Sequence, residues 1–194
     1  MKRKTKVERK TKETEISLAI NIDGSGKGEI ETGVGFLDHM LTLFSRFSGM
    51  DIRIKAKGDL EVDTHHTIED AGICLGEALK KALGEKKGIR RFGFASVPMD
   101  ETLVNTSLDI SGRPLLVFNV PYIKGRDGSF EIDDTKEFLK AFTTHSGITI
   151  HINLVYGDNL HHVNEAIFKS LALALKDALK IEGRDVPSTK GCLD

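Results

Sequence analysis

A chain of 194 residues with 39% hydrophobic and 29% charged side chains holds enough apolar material for one sizeable core, shared between two halves if the chain is duplicated. A formal net charge of -1 gives no field to draw in nucleic acid or an anionic membrane, and no apolar run approaches the ~18 residues that a membrane span needs. The two cysteines, Cys74 and Cys192, make no disulfide framework and read as reduced thiols of a cytoplasmic protein without a signal peptide.

In chain order, the basic start Met1-Lys2-Arg3-Lys4 reads as a solvated, frayed terminus. From Glu15, the residues Ile16, Leu18, Ile20 and Ile22 alternate and then meet Asp23-Gly24-Ser25-Gly26. This predicts a strand and a hairpin turn, with Gly28 to Glu31 as the partner strand. Phe36, Leu37, Met40, Leu41 and Phe44 recur at helical spacing around His39, and Met50, Ile52, Ile54 and Ala56 alternate as the next strand. After Gly58-Asp59 a long helix opens at His65, turns Ile68, Gly72, Leu75, Leu79 and Ala82 inward, and ends at Gly84.

The second half repeats this order. Phe47-Ser48-Gly49-Met50-Asp51-Ile52 aligns with His145-Ser146-Gly147-Ile148-Thr149-Ile150, Glu13-Thr14 with Glu101-Thr102, and Asp23-Gly24 with Ser111-Gly112. The glycine- and lysine-rich stretch from Gly84 to Gly88 marks the join, so 1–87 and 88–194 read as two repeat halves of one compact unit. Duplication of a β-β-α-β-α unit predicts an α+β fold. Its two sheets carry their helices on one face and pack about a pseudo-twofold axis.

The strongest chemical signal is duplicated too. His65-His66-Thr67-Ile68-Glu69 recurs as His161-His162-Val163-Asn164-Glu165, each at the head of an amphipathic segment. Positions i and i+4 share a helix face, so His65 pairs with Glu69 and His161 with Glu165, while His66 and His162 point roughly 100° away. Imidazole with carboxylate suits borderline divalent ions, and the lack of cysteine ligands argues against a structural zinc site. Extending the register from Ser48 and Ser146 back to His39 lands on Glu137. Symmetry then predicts one ion held by His39, His66, His161 and Glu165 and a second held by Glu137, His65, Glu69 and His162. His145 aligns with Phe47, and His151 reads as a structural histidine of a strand. Arg91, Arg113, Lys169 and the tail Ser188-Thr189-Lys190-Gly191 suit an anionic, phosphate-bearing substrate. A two-metal phosphoesterase would use the same groups, whereas a metal-storage or metal-sensing protein has no use for the cationic ones.

Ordered motifs along nearly the whole chain carry a resemblance. They are Arg9-x-Thr11-x-Glu13-Thr14, Gly35-Phe36-Leu37-Asp38-His39-Met40-Leu41, the His65-to-Asp70 stretch, Arg91-Phe92-Gly93, Pro98-Met99-Asp100-Glu101, Ser111-Gly112-Arg113-Pro114, His161-His162-x-x-Glu165-x-x-Phe168-Lys169 and Pro187-Ser188-Thr189-Lys190-Gly191. By these the chain resembles imidazoleglycerol-phosphate dehydratase, an enzyme of histidine biosynthesis. The resemblance implies two fused ribosomal-protein-S5-domain-2-like units, a 24-subunit homo-oligomer with sites between neighbours, and two manganese ions per site. It implies metal ligands at His39, His65, His66, Glu69, His161, His162 and Glu165, with an eighth at Glu137, where members usually have histidine. Members also tend to carry glutamine where this chain has Leu43. Glu13 is implied to face the substrate, and Arg91, Arg113, Lys169, Ser188 and Lys190 to hold its phosphate. The implied reaction is that of a hydro-lyase, loss of water from D-erythro-imidazole glycerol phosphate to give imidazole acetol phosphate. Among the carboxylates, Glu165 is the first choice for proton transfer, followed by Glu13 and Glu69. Cover for the helix-bearing faces is expected to come from other subunits.

Overall fold

The computed structural model describes residues 3–193; Met1 and Lys2 of the basic start lie outside them. The strands β1 (Lys4–Lys10), β2 (Thr14–Asn21) and β3 (Gly28–Glu31) lead into α1 (Gly35–Ser48), and β4 (Asp51–Gly58) leads into α2 (His65–Leu83). The second half follows the same order with β5 (Phe92–Met99), β6 (Thr102–Asp109), β7 (Leu115–Asn119), α3 (Ile132–Ser146), β8 (Thr149–Tyr156) and α4 (Leu160–Ala178). The sheets run β1-β2-β4-β3 and β5-β6-β8-β7. The duplicated α+β architecture is the one expected, with one further strand opening each half.

That opening strand was silent in the hydrophobic pattern for a physical reason. β1 lies at a sheet edge and buries only Val7, so its polar side chains alternate with nothing apolar. The basic start is therefore anchored from Arg3 onward. Arg3 pairs with Asp23, and its Nη1 donates to the Leu179 carbonyl at 2.8 Å. The expected hairpin between β2 and Gly28–Glu31 does not form either, because β3 runs parallel to β4 while β2 sits between β1 and β4. Asp51 at the head of β4 captures the connecting loop. Its carboxylate accepts from the backbone N–H of Ser25 at 2.8 Å and of Lys27 at 3.1 Å, which carries the chain past β4.

The helices lie between the two sheets, with α2 against α3 and α1 against α4. Gly72 and Gly76 permit the closest approach. A Cβ at either position would sit 2.6 Å from the Phe138 or the Phe142 carbonyl, so a larger residue would force α2 and α3 apart. Phe44, Phe138, Phe142 and Phe168 interlock in the centre of this layer. The helix-bearing faces thus cover one another within the chain, and a second subunit is not needed for that. An uncovered apolar surface lies elsewhere, on the outer face of the second sheet. There Phe94, Ser107, His151 and Val117 form one exposed row across the strands, flanked by Phe92 and Leu115. His151, expected to be a structural histidine, is exposed in this row. The matching row of the first sheet is Lys6, Ala19, Arg53 and Glu29.

Candidate metal centre and cationic groove

Packing of α1 on α4 brings the first predicted ligands together across the two halves. His39 Nε2 lies 3.0 Å from Glu165 Oε1, and His161 Nε2, one turn before Glu165 on α4, lies 3.2 Å from the same oxygen. Asn159 caps α4 by accepting from the His162 N–H at 3.2 Å, which sets the helix start so that His161 and Glu165 share a face. Phe36 packs its ring 5.2 Å from that of His161 and shields one side of the group. Glu165 is 7% exposed. Burial alone would raise its pKa, but hydrogen bonds from Lys169 and His39, the Lys169 charge and His161 outweigh it and hold the carboxylate down to about 2.

His66 and His162 are fixed through Nδ1. His66 Nδ1 lies 3.0 Å from Asp59 Oδ2, and His162 Nδ1 lies 2.7 Å from Glu101 Oε2. Those hydrogen bonds raise the pKa of both histidines, and the His162 contact lowers that of Glu101. His161 Nδ1 has Asp127 Oδ1 at 3.7 Å. A carboxylate at Nδ1 orients an imidazole with Nε2 directed outward, the arrangement that metal-bound histidines use. Among the described residues, His39, His161 and Glu165 form one group whose ligand atoms lie within 4.8 Å of one another, and Asp100, Glu101 and His162 form another. His66 stands apart from the first group, beside Asp59. Glu137, His65 and Glu69 do not make a corresponding third group: Glu137 Oε2 meets Lys140 Nζ at 3.1 Å, and the His65 ring stands perpendicular to that of His66 at 6.1 Å. Glu13 Oε2 is 3.9 Å from His66 Nδ1.

The cationic residues gather at the far end of α4. Arg91 adopts a positive φ of 79°, donates from Nε and Nη2 to Asp109 at 2.7 and 3.1 Å, and from Nη1 to the Pro187 carbonyl at 2.9 Å. With Arg113, Ser188, Thr189 and Lys190 it lines a groove of about 680 Å³. The Lys190 N–H donates to Ser188 Oγ at 3.2 Å, which shapes the tail into a turn. Lys169 is not part of this groove. Its Nζ meets Met99 Sδ at 3.4 Å, and on α4 it precedes Ala178, whose carbonyl accepts from the Arg91 N–H, by roughly 13 Å at about 1.5 Å per residue.

Residues 32–175 match the family model described as Imidazoleglycerol-phosphate dehydratase. The chain belongs to that family. It is therefore an enzyme, a hydro-lyase of histidine biosynthesis. It is 54% identical over 193 residues to the imidazoleglycerol-phosphate dehydratase of Thermoanaerobacter pseudethanolicus, a match covering 98% of this chain and 100% of that protein. It is also 54% identical over 195 residues to that of Acetivibrio thermocellus, covering 100% of both. The solved structure of the dehydratase from Staphylococcus aureus superposes with a TM-score of 0.83 at 40% identity, over 92% of this chain and 99% of that one. The Pyrococcus furiosus structure, in complex with (S)-C348, superposes with a TM-score of 0.84 at 44% identity, over 96% and 100%.

In this dehydratase the carboxylates that orient the histidines were missed by sequence reasoning. Asp59 read as part of a polar turn, and Asp127 lies in an irregular segment between β7 and α3 with no periodic signal. Asp109, which aligns Arg91, was equally unmarked. Glu101 alone left a trace, since it aligns with Glu13.

Proposed function

We propose that the enzyme dehydrates imidazole glycerol phosphate in a site that takes two divalent metal ions, manganese by preference, and is completed between subunits. The observation that carries this reading is the meeting of His39, His161 and Glu165 from opposite halves of the chain. The donor set fits a borderline divalent ion: Glu165 stays anionic, and the carboxylates at Nδ1 leave Nε2 of His66 and His162 as ligand atoms. We assign His39, His66, His161 and Glu165 to one ion and Glu137, His65, Glu69 and His162 to the other. When bound, the ions supply Lewis acidity and a template for the imidazole ring without redox change.

The chain's own groups account for the rest. Arg91, Arg113, Ser188 and Lys190 present guanidinium, hydroxyl, ammonium and backbone N–H donors to the phosphate, and Asp109 holds Arg91 in place for it. Elimination breaks a C–H bond and the C–O bond on the neighbouring carbon, and the resulting enol ketonises to imidazole acetol phosphate. We assign proton transfer to Glu165 first, with Glu13 and then Glu69 next in order. Lys169, one turn from Glu165, keeps that carboxylate charged when no metal is bound.

The separation of the two parts within one chain supports a site shared between copies. The Arg91 N–H bonds the Ala178 carbonyl, which on α4 lies roughly 20 Å from Glu165 at about 1.5 Å per residue. We infer that a neighbouring copy contributes the groove, as in a homo-oligomer of 24 subunits in the cytoplasm. Among the described residues no helix is long and apolar enough to cross a membrane.

The test is turnover of imidazole glycerol phosphate by metal-free protein titrated with manganese. It is joined by mixing experiments with two inactive variants, Glu165→Gln and Lys190→Ala, dissociated and reassembled together. Restored activity in the mixture, absent from either variant alone, is expected from a shared site. A mixture as inactive as its components places the whole site in one chain.

A further inference from the structure

The motifs Arg9-x-Thr11-x-Glu13-Thr14 and Glu69-Asp70 meet in a network that the metal and phosphate roles leave unused. Asp70 is 6% exposed on α2. Its Oδ1 accepts from Arg9 Nε at 2.8 Å and its Oδ2 from the Thr14 hydroxyl. Thr11 closes the hairpin between β1 and β2, because its Oγ1 accepts from the Glu13 N–H at 3.1 Å and the Thr14 N–H at 2.9 Å. Its own N–H donates to the Thr14 carbonyl at 2.9 Å. The backbone that carries Glu13 is thus bound on both flanks to one buried carboxylate.

The second half secures its equivalent hairpin in another way. Glu101 lies where Glu13 does in the first half, and its carboxylate is held 2.7 Å from His162 Nδ1. Val97 and Ala166 stand where the first half has Arg9 and Asp70. One glutamate fixes itself through its own side chain. Glu13, in contrast, keeps a side chain that is 55% exposed and 3.9 Å from His66 Nδ1, beyond hydrogen-bond reach. A buried carboxylate is costly unless fully paired, and here the pairing serves the hairpin and not α2 itself.

We infer that Asp70 is a positioning residue. Acting through Arg9 and Thr14, it holds the Glu13 backbone so that the Glu13 carboxylate stands beside His66, unengaged by structural bonds and available to the substrate. The inference rests on the reading of Glu13 as a substrate-facing group, and the test separates the two.

Asp70→Asn and Thr14→Val are compared with Glu13→Gln and with the double variant Glu13→Gln/Asp70→Asn. Asp70→Asn lowers kcat by about 10- to 100-fold, the scale on which a catalytic group misplaced by an ångström acts, while bound metal is retained. In the Glu13→Gln background the same change adds no further loss. Where Glu13→Gln leaves no rate to follow, the cycle is read on the Kd of a phosphonate analogue of the substrate. Thr14→Val cuts one strut with Arg9 still on Asp70 and gives a smaller loss in the same direction. Arg9→Lys recovers part of what Arg9→Met loses. An equal fold-loss from Asp70→Asn in both backgrounds overturns the inference and leaves Glu13 in its role. A wild-type rate in Glu13→Gln overturns the reading of Glu13 and the inference with it.

Discussion

His39 Nε2 lies 3.0 Å from Glu165 Oε1, although 126 positions separate the two residues. The contact joins α1 of one half to α4 of the other, so the candidate centre exists only when the halves are docked. Glu165→Gln keeps the shape and removes the charge that Lys169 and both histidines share. The expected result is a loss in kcat of about 10²- to 10⁴-fold, the usual span for a lost acid–base group, together with weaker metal retention. Steady-state rates beside metal analysis of the purified variant check it. A near-normal rate moves proton transfer to Glu13 or Glu69.

The duplication was legible because two kinds of signal agreed: His-His-x-x-Glu recurs, and Ser48-Gly49 and Ser146-Gly147 keep the register between the copies. His39 and Glu165 were legible as candidate ligands for the same reason, and the structure brings the two side chains together. β1 was not, since an edge strand that buries only Val7 leaves no alternation to read. Asp59 and Asp127 were hidden differently: each meets its histidine only because of the path a loop takes, and no spacing encodes that path. The separation of Lys169 from Arg91 was also invisible, because it depends on Arg91 meeting α4 at Ala178, the last residue of the helix.

Metal uptake should be strongly pH-dependent. The hydrogen bond that His66 donates to Asp59 raises the His66 pKa and the one that His162 donates to Glu101 raises the His162 pKa, with burial opposing in both. A raised folded pKa means that, in the metal-free protein, these pairs add stability below the ordinary histidine value of about 6.5, and the contribution fades as pH rises through the folded values. Ligation needs the neutral rings and runs the opposite way. Manganese affinity is therefore expected to climb from about pH 6 to about pH 8, with protons released on binding. Calorimetry in buffers of different ionisation enthalpy counts them. Asp59→Asn removes the main cause of the His66 shift and moves the rise in affinity to lower pH.

Glu137 stands where the family that the chain resembles usually has histidine, and its carboxylate pairs with Lys140 at 3.1 Å. If it ligates the second ion, a carboxylate oxygen there favours harder ions than an imidazole does. Glu137→His is expected to shift the metal giving the highest turnover from manganese toward zinc, cobalt or nickel. Glu137→Ala is expected to lower metal content with the fold intact. Competition titrations of metal-free protein measure both, and an unchanged preference in Glu137→His removes Glu137 from the ligand set.

The two outer sheet faces differ in a way that the pseudo-twofold makes plain. Phe94, Ser107, His151 and Val117 occupy the row that Lys6, Ala19, Arg53 and Glu29 occupy in the first sheet. Phe92 and Phe94 are 57% and 60% exposed, a surface that a second copy of the chain would cover. Each phenylalanine so buried contributes about 2 kcal/mol, enough for two of them to decide an association. Phe94→Glu combined with Val117→Glu places charge at both ends of that row, on the edge strands β5 and β7, and leaves the core untouched. The expected outcome is a much smaller particle by light scattering, native secondary structure by circular dichroism, and loss of turnover, as the proposed sharing of the site between copies requires. Unchanged mass with unchanged turnover would show that this face is not where the copies meet.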